Sequence, residues 1–375
     1  MQGGNILSDS IINPVKDARR LWNSKTAGLR PYVPGEQPRE RKYIKLNTNE
    51  NPWPPAAEVI EAIGSYDLDR LRLYPDPTSL HLREMIAEYY GLKGTGNVFV
   101  GNGSDEILAF AFQAFFEKDG QEVIFPDITY SFYPVYARLY DLNWKTVALN
   151  DDFEINIQDF CQPDRAVVLA NPNAPTGIAV SLEQIETIVK ADPDRLVLID
   201  EAYVDFGAES AVSLLERYDN LLVVQTFSKS RSLAGMRVGY AMGSPELIEA
   251  LQRIRDSINS YTLDSLAQEA AAAAIGAGAW FEKTRQALIE IRAGTAASLK
   301  AMGFIVLPSK ANFLFVRHGS IPAPEVYSFL REKGILVRHF NADRINQFLR
   351  ISIGTEQDME ILCAALADLT AAGKA

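Results

Sequence analysis

The chain has 375 residues, 47% hydrophobic and 23% charged, enough for one large core and a smaller second domain in a globular protein. Its formal net charge of −11 argues against nucleic acid as a partner, since neutralising phosphates takes clustered Lys and Arg, although local basic pockets for small anions stay open. No stretch reaches the roughly 18 apolar residues of a membrane span, and residues 1–10 lack the basic and apolar segments of a secretory signal.

In chain order, the prolines at 31, 34 and 38 make 29–38 extended, so residues 1–45 are expected to form an arm. Helical spacing follows over 56–64 and 80–90, the second ending at Gly91. From about residue 97 short apolar runs alternate with helical stretches. Strands are predicted at 98–100, 122–125, 144–148, 166–170, 196–199, 221–226 and 239–242, with helices at 105–116 and 182–191 between them. Apolar runs without polar alternation are strands covered on both faces, which predicts an α/β domain with a mostly parallel sheet. One long helical region is expected from Pro245 to Leu299. Strand-like runs at 304–307, 312–316, 335–337 and 348–351 come next, with helices at 323–333 and from Glu356. These read as a separate α+β domain, with the large domain spanning 46–280 and the small one 281–375.

Ligand groups in such sheets collect beyond the C-terminal ends of the strands, and four segments place polar residues there. Val100-Gly-Asn-Gly-Ser-Asp-Glu106 runs a strand through two glycines into a helix start. Free amides there suit an anion beside Gly103, Ser104 and Asp105, or those residues simply cap the helix. Asn173, between Pro172 and Pro175, is either a fixed donor to a ligand or a turn residue. Asp200 closes an apolar strand and is followed by Glu201. A carboxylate there serves a metal, acts as a base, pairs with a cationic ring nitrogen, or merely ends a strand. Lys229, between Ser228 and Ser230 after another apolar strand, is either solvated or an amine held out of water and able to form a Schiff base. Arg237 and Ser228 add a guanidinium and a hydroxyl for a phosphate. Together the four supply what pyridoxal phosphate needs: a phosphate site, a rigid asparagine, a carboxylate that keeps the pyridine nitrogen protonated, and an enclosed lysine. The two cysteines, Cys161 and Cys363, and the three histidines, His81, His318 and His339, have neither metal-ligand nor disulfide-framework spacing. No metal is expected.

These motifs resemble the fold type I pyridoxal-phosphate enzymes of the aspartate-aminotransferase type, and most closely the histidinol-phosphate aminotransferase group. The matching segments are Leu46-Asn-Thr-Asn-Glu-Asn-Pro52, Tyr74-Pro-Asp-Pro77, Gly101-Asn-Gly-Ser-Asp-Glu106, Asn171-Pro-Asn-Ala-Pro-Thr-Gly177, Asp200-Glu-Ala-Tyr203, Thr226-Phe-Ser-Lys-Ser230 with Arg237, and Leu349-Arg-Ile-Ser-Ile-Gly354. They occur in the family's order over most of the chain.

The resemblance implies pyridoxal 5'-phosphate bound to Lys229, which also moves the proton. It implies Asp200 at the pyridine nitrogen, Tyr203 and Asn173 at the ring oxygen, and Tyr130 on the ring face. Gly103, Ser104, Asp105, Ser228 and Arg237 fall around the phosphate. Tyr74 would reach the phosphate of a neighbouring subunit, which implies a homodimer. Arg350 and Arg338 would grip the anionic groups of the substrates, Tyr32 would close over them, and Asn49 lies in the matching loop near the pocket. The implied reaction is ping-pong transamination between histidinol phosphate and 2-oxoglutarate in the cytoplasm. An aromatic amino-acid aminotransferase and a phosphothreonine decarboxylase of the same fold share most of these motifs.

Overall fold

The run Leu221-Leu-Val-Val-Gln-Thr226 is buried along its whole length, as are Val98–Gly101, Val197–Asp200 and Gly239–Met242. Aliphatic residues on both faces leave such strands stable only between two layers of helices, where each buried side chain contributes about 1.5–3 kcal/mol. The computed structural model describes residues 17–32, 35–38, 40–117 and 119–372. The N-terminal signal reading, over residues 1–10, lies outside the described residues, as do residues 33 and 34 of the expected extended segment.

The strands are β1 (Ile44–Lys45), β2 (Val98–Gly101), β3 (Glu122–Pro126), β4 (Trp144–Val147), β5 (Arg165–Ala170), β6 (Val197–Asp200), β7 (Leu221–Thr226) and β8 (Gly239–Met242), followed by β9 (Phe304–Val306), β10 (Phe313–His318), β11 (Ile335–Leu336), β12 (Arg338–His339) and β13 (Leu349–Ser352). Helices are α1 (Ser24–Gly28), α2 (Ala57–Gly64), α3 (Leu80–Tyr89), α4 (Gly103–Phe115), α5 (Tyr133–Leu139), α6 (Leu182–Lys190), α7 (Pro245–Ile258), α8 (Ser265–Gly276), α9 (Gly278–Ala301), α10 (Ala323–Glu332) and α11 (Glu356–Ala372).

Seven strands form one sheet in the order β2-β8-β7-β6-β5-β3-β4. Only β8 runs against its neighbours. Alternate residues of one strand feed opposite cores. Val197 and Ile199 meet α2, α3, α6 and α8 on one face. Leu198 meets α4, α5 and α7 on the other. The mostly parallel α/β sheet expected from the apolar runs is therefore present, with strand ends within a residue or two of the expected ones.

A second sheet, antiparallel and ordered β12-β13-β10-β9, carries its own core against α9, α10 and α11. Strand β1, near the N-terminus, pairs with β11 in this half of the molecule. Three features depart from expectation. The long helical region is three helices, because Asn259 turns the chain extended and Asp264 starts a new helix by accepting from the Ala267 amide at 2.8 Å. Helix α9 runs uninterrupted through residue 280, so the expected domain boundary falls inside a helix. Helix α5 is short, opens on Pro134 and is rich in aromatics, so it has too few turns for its period to show. Among the described residues, no helix is long and apolar enough to cross a membrane.

Candidate active site

The C-terminal ends of β2, β6 and β7, the start of β8 and strands β12 and β13 converge on one cavity of about 320 Å³. Of the residues singled out in sequence, Tyr32, Asn49, Ser104, Asp105, Tyr130, Asp200, Tyr203, Ser228, Lys229, Arg237, Arg338 and Arg350 all line it.

Lys229 sits in the turn after β7. Its Nζ donates to the carbonyl of Thr48 at 3.2 Å, while the Asn51 amide holds the carbonyls of Lys229 and Ser230 at 3.0 and 3.3 Å. On the far side the Ser230 hydroxyl donates to the buried Asp205 carboxylate. The lysine backbone is thus fixed from both sides, and its amine faces the cavity.

Asp200 ends β6 with 4% of its surface exposed. Burial pushes its carboxyl up to about 6, against the Tyr133 hydroxyl (2.9 Å) and the Ala202 amide (3.2 Å), which pull it down. A cation beside it would offset that desolvation. Glu201, one residue on, points through the sheet to Ser210, Gln225 and the Ala211 amide, and burial raises it to about 7. The alternation of a strand therefore sends one carboxylate of the pair into the cavity and the other away from it.

The opposite end is built for an anion. Helix α4 begins at Gly103, and no side chain caps its amides. Gly103 has φ +81°, and a Cβ there would collide with the Arg237 guanidinium. A side chain at Gly239 would strike the backbone of Gly103 and Ser104. Gly239 was not singled out from the sequence; its signal is its place two residues after Arg237. Asp105 accepts from the Tyr130 hydroxyl at 2.7 Å and pairs with Arg237 at 3.4 Å, so it orients both groups. The hydroxyls of Ser104 and Ser228 share the same wall.

Facing these groups from the second sheet are Arg338 and Arg350, directly opposite each other on β12 and β13. Arg350 donates to the Asn47 carbonyl at 3.1 Å, and its Nε is buried without a hydrogen-bond partner. Burial lowers its pKa, and the charge of Arg338 lowers it further. Two adjacent guanidiniums, one with an unused buried donor, suit an anionic ligand. Both rest on the ring of Phe340, at 5.6 Å from Arg350 and 5.7 Å from Arg338.

Tyr203 receives a hydrogen bond from Asn49 Nδ2 at 3.0 Å. Asn49 is locked in turn by Ser352, which accepts from its amide and donates to its Oδ1, both at 2.9 Å. Tyr32 stacks on Phe132 with ring centroids 4.4 Å apart. Gly103, Asn173 and Tyr74 do not line the cavity. The Asn173 side chain donates to Thr176 Oγ1 in its own loop and, across to the loop after β3, donates to the Ile128 carbonyl and accepts from Thr129. Tyr74 is 81% exposed and stacks on Tyr261. Thr48, Glu50, Asn51 and Tyr133 were not given roles from the sequence. The first three lie inside the 46–52 motif, whereas nothing local marks Tyr133. Among the described residues, no group of three His, Cys, Asp or Glu side chains is placed to hold a metal ion.

Residues 41–366 match the family model for aminotransferase class I and II. A histidinol-phosphate aminotransferase of Acetobacter pasteurianus is 54% identical over 93% of this chain and 98% of its own length. One from Clostridium acetobutylicum is 53% identical over 91% and 96%. The solved structure of histidinol-phosphate aminotransferase from Sinorhizobium meliloti in complex with pyridoxal-5'-phosphate superposes with a TM-score of 0.80 at 25% identity, covering 88% of this chain and 92% of that one.

Proposed function

The chain belongs to the class I and II aminotransferases, and from that premise we propose that it uses pyridoxal 5'-phosphate to interconvert histidinol phosphate and 2-oxoglutarate with imidazole-acetol phosphate and glutamate, a step of histidine biosynthesis. The observation that carries this reading is the joining, in one cavity, of Lys229, the buried Asp200 and the uncapped start of α4 beneath two adjacent arginines. Relatives above 50% identity over nearly their full length bear the histidinol-phosphate name, which supports the substrate assignment.

The residues present fit the cofactor. The α4 amides, Ser104, Ser228 and Arg237 would cradle an anion, and the close packing of Gly103 on Arg237 and of Gly239 on the Gly103–Ser104 backbone leaves no room for a Cβ at either glycine. Burial raises the Asp200 carboxyl, and a neighbouring cation, such as a protonated ring nitrogen, would offset that cost. When bound, the cofactor supplies an electron-withdrawing ring that lets a proton leave the amine-bearing carbon of the substrate. Lys229 Nζ, held at Thr48, is the amine that attaches the cofactor and the base that takes and returns that proton. Tyr203, fixed by Asn49, would hold the ring oxygen through its hydroxyl. Tyr130 would face the ring, its hydroxyl kept on Asp105. Arg350 and Arg338 bind the phosphate of one substrate and the second carboxylate of the other, and Tyr32 covers them.

Exposed Leu68, Leu71, Leu73, Tyr74 and Tyr261 form an apolar margin outside the cavity. It supports a homodimer in which Tyr74 reaches the partner's phosphate site. Small polar substrates fit a cytoplasmic enzyme.

A single-turnover spectrum tests the reading. Protein loaded with pyridoxal phosphate is mixed with histidinol phosphate, phenylalanine or phosphothreonine, with no keto acid present. Rapid conversion to the pyridoxamine absorption by histidinol phosphate alone is expected. Conversion mainly by phenylalanine would make it an aromatic aminotransferase, and carbon dioxide release from phosphothreonine would make it a decarboxylase.

A further inference from the structure

The two cavity arginines belong to one excursion of the chain. Arg338 ends on β12, the chain runs out through Phe340–Phe348, and Arg350 returns on β13. Midway along that loop lies Arg344, whose φ of 67° is a conformation that a non-glycine residue keeps only where its surroundings fix it. Its guanidinium crosses to the large sheet. Nη1 donates to Asp127 Oδ2 at 2.9 Å, and Nη2 donates to the carbonyls of Leu149 and Asn150 at 2.9 and 2.8 Å. Asp127 is held by the same neighbourhood, since its other oxygen accepts from the Leu149 amide at 3.0 Å. Beside Arg344, Ile345 and Phe348 bury themselves among Ile128, Leu149, Phe153 and Phe315.

The geometry points to Arg344 as a positioning residue for substrate binding, one that touches no reacting atom and acts through the loop that it pins. Phe340, in the same loop, is the ring on which both cavity guanidiniums rest. Where Arg344 fixes the loop, it fixes the height of that ring, and with it the placement of Arg338 and Arg350 relative to the end of β6. The apolar side chains hold the loop against the large sheet but are not directional; the three hydrogen bonds of Arg344 set its position along the sheet. Lysine cannot replace it, because a single ammonium does not present two nitrogens to three acceptors held in this geometry. The pair also matters for charge. Asp127 and Arg344 line a second cavity of about 550 Å³ that shares Tyr32, Arg338 and Arg350 with the first. Without Arg344, the Asp127 carboxylate would face an incoming anion uncompensated.

This inference rests on the aminotransferase reading with anionic substrates, so its test has one arm that needs no turnover. In the cofactor-loaded enzyme, Arg344→Gln and Asp127→Asn are compared with wild type. KM for glutamate and for histidinol phosphate is expected to rise about tenfold or more in Arg344→Gln, while kcat stays within about twofold and the cofactor spectrum is unchanged. Asp127→Asn, which keeps an acceptor for the Leu149 amide, should give a smaller rise, and Arg344→Lys should recover only part of the wild-type KM. In the second arm, amide hydrogen exchange of Arg344→Gln should quicken across residues 339–349 and not in the large sheet. An unchanged KM for glutamate together with unchanged exchange in the loop would overturn the role. So would a fall in kcat with an altered cofactor spectrum, which would mark general damage. A wild-type enzyme inactive on histidinol phosphate but active with glutamate and another amine would overturn the substrate assignment alone, leaving both arms readable.

Discussion

The cavity has a floor and a roof that are built in different ways. The floor, with Ser104, Asp200, Ser228 and Lys229, consists of residues at strand ends or within three positions beyond them, and Lys229 is also held by the Thr48–Asn51 segment. The roof, with Arg338 on the two-residue β12 and Arg350 on the four-residue β13, is joined by a loop held by an ion pair between residues 127 and 344. The floor therefore inherits the rigidity of a doubly covered sheet, while the roof depends on a few polar contacts across two cores. Chemistry belongs on the rigid part, because proton transfer tolerates little displacement. Affinity for an anion can be carried by the softer one.

That comparison predicts a split in mutant behaviour. The largest effect is expected at the floor. Lys229→Ala should lower kcat by a factor on the order of 10³ or more while the protein still folds and binds pyridoxal phosphate. Circular dichroism, cofactor content and turnover check this, and near-wild-type activity would remove the lysine from the chemistry. At the roof, Arg350→Ala should raise KM for both substrates about 30-fold, the result of losing roughly 2 kcal/mol of charged hydrogen bonding, with kcat less affected. A KM unchanged for both would end the roof's role as anion binder.

A third prediction concerns pH and separates the cost of the floor from its use. The Asp200 carboxyl stands at about 6 in the fold against an ordinary value of 3.8. The folded chain therefore holds that proton to higher pH than the unfolded chain does. Between those values stability falls as pH rises, by about 3 kcal/mol in all once the group is ionised. Cofactor-free Asp200→Asn should then gain stability over cofactor-free wild type as pH goes from about 4 to 7, yet lose activity about 10²-fold when loaded. Thermal melts of both proteins across that range decide it; a difference independent of pH would mean that the carboxyl is not strained by burial. The smallest effect is expected for Tyr74→Phe, which keeps the ring stack on Tyr261 and removes one hydroxyl. Cofactor affinity should weaken about fivefold, from roughly 1 kcal/mol, in the proposed dimer only. Titration with pyridoxal phosphate above and below the dimer dissociation concentration measures it.

The sequence by itself determined the doubly covered sheet, because Val, Ile and Leu without polar alternation have no stable place except between two helical layers. It also determined the floor, because glycine, serine, aspartate and lysine stand just past those strands and a parallel sheet brings its strand ends to one edge. Tertiary structure alone decided the rest. Strands β1 and β12 have two residues each, and only their pairing, β1 with the distant β11 and β12 with β13, defines them. The three-way division of 245–301 is marked locally only by Asn259 and the Asp264 cap, inside an otherwise continuous helical pattern. Glu201 was sent away from the cavity that Asp200 faces, Tyr133 was brought beneath Asp200, and the Asn173 side chain was turned onto Ile128 and Thr129 after β3. Arg344 was placed against Asp127 from more than two hundred residues away. Local periodicity records which face of an element is apolar. It does not record which distant polar group that element will meet, because that contact is set only when the separate cores close on one another.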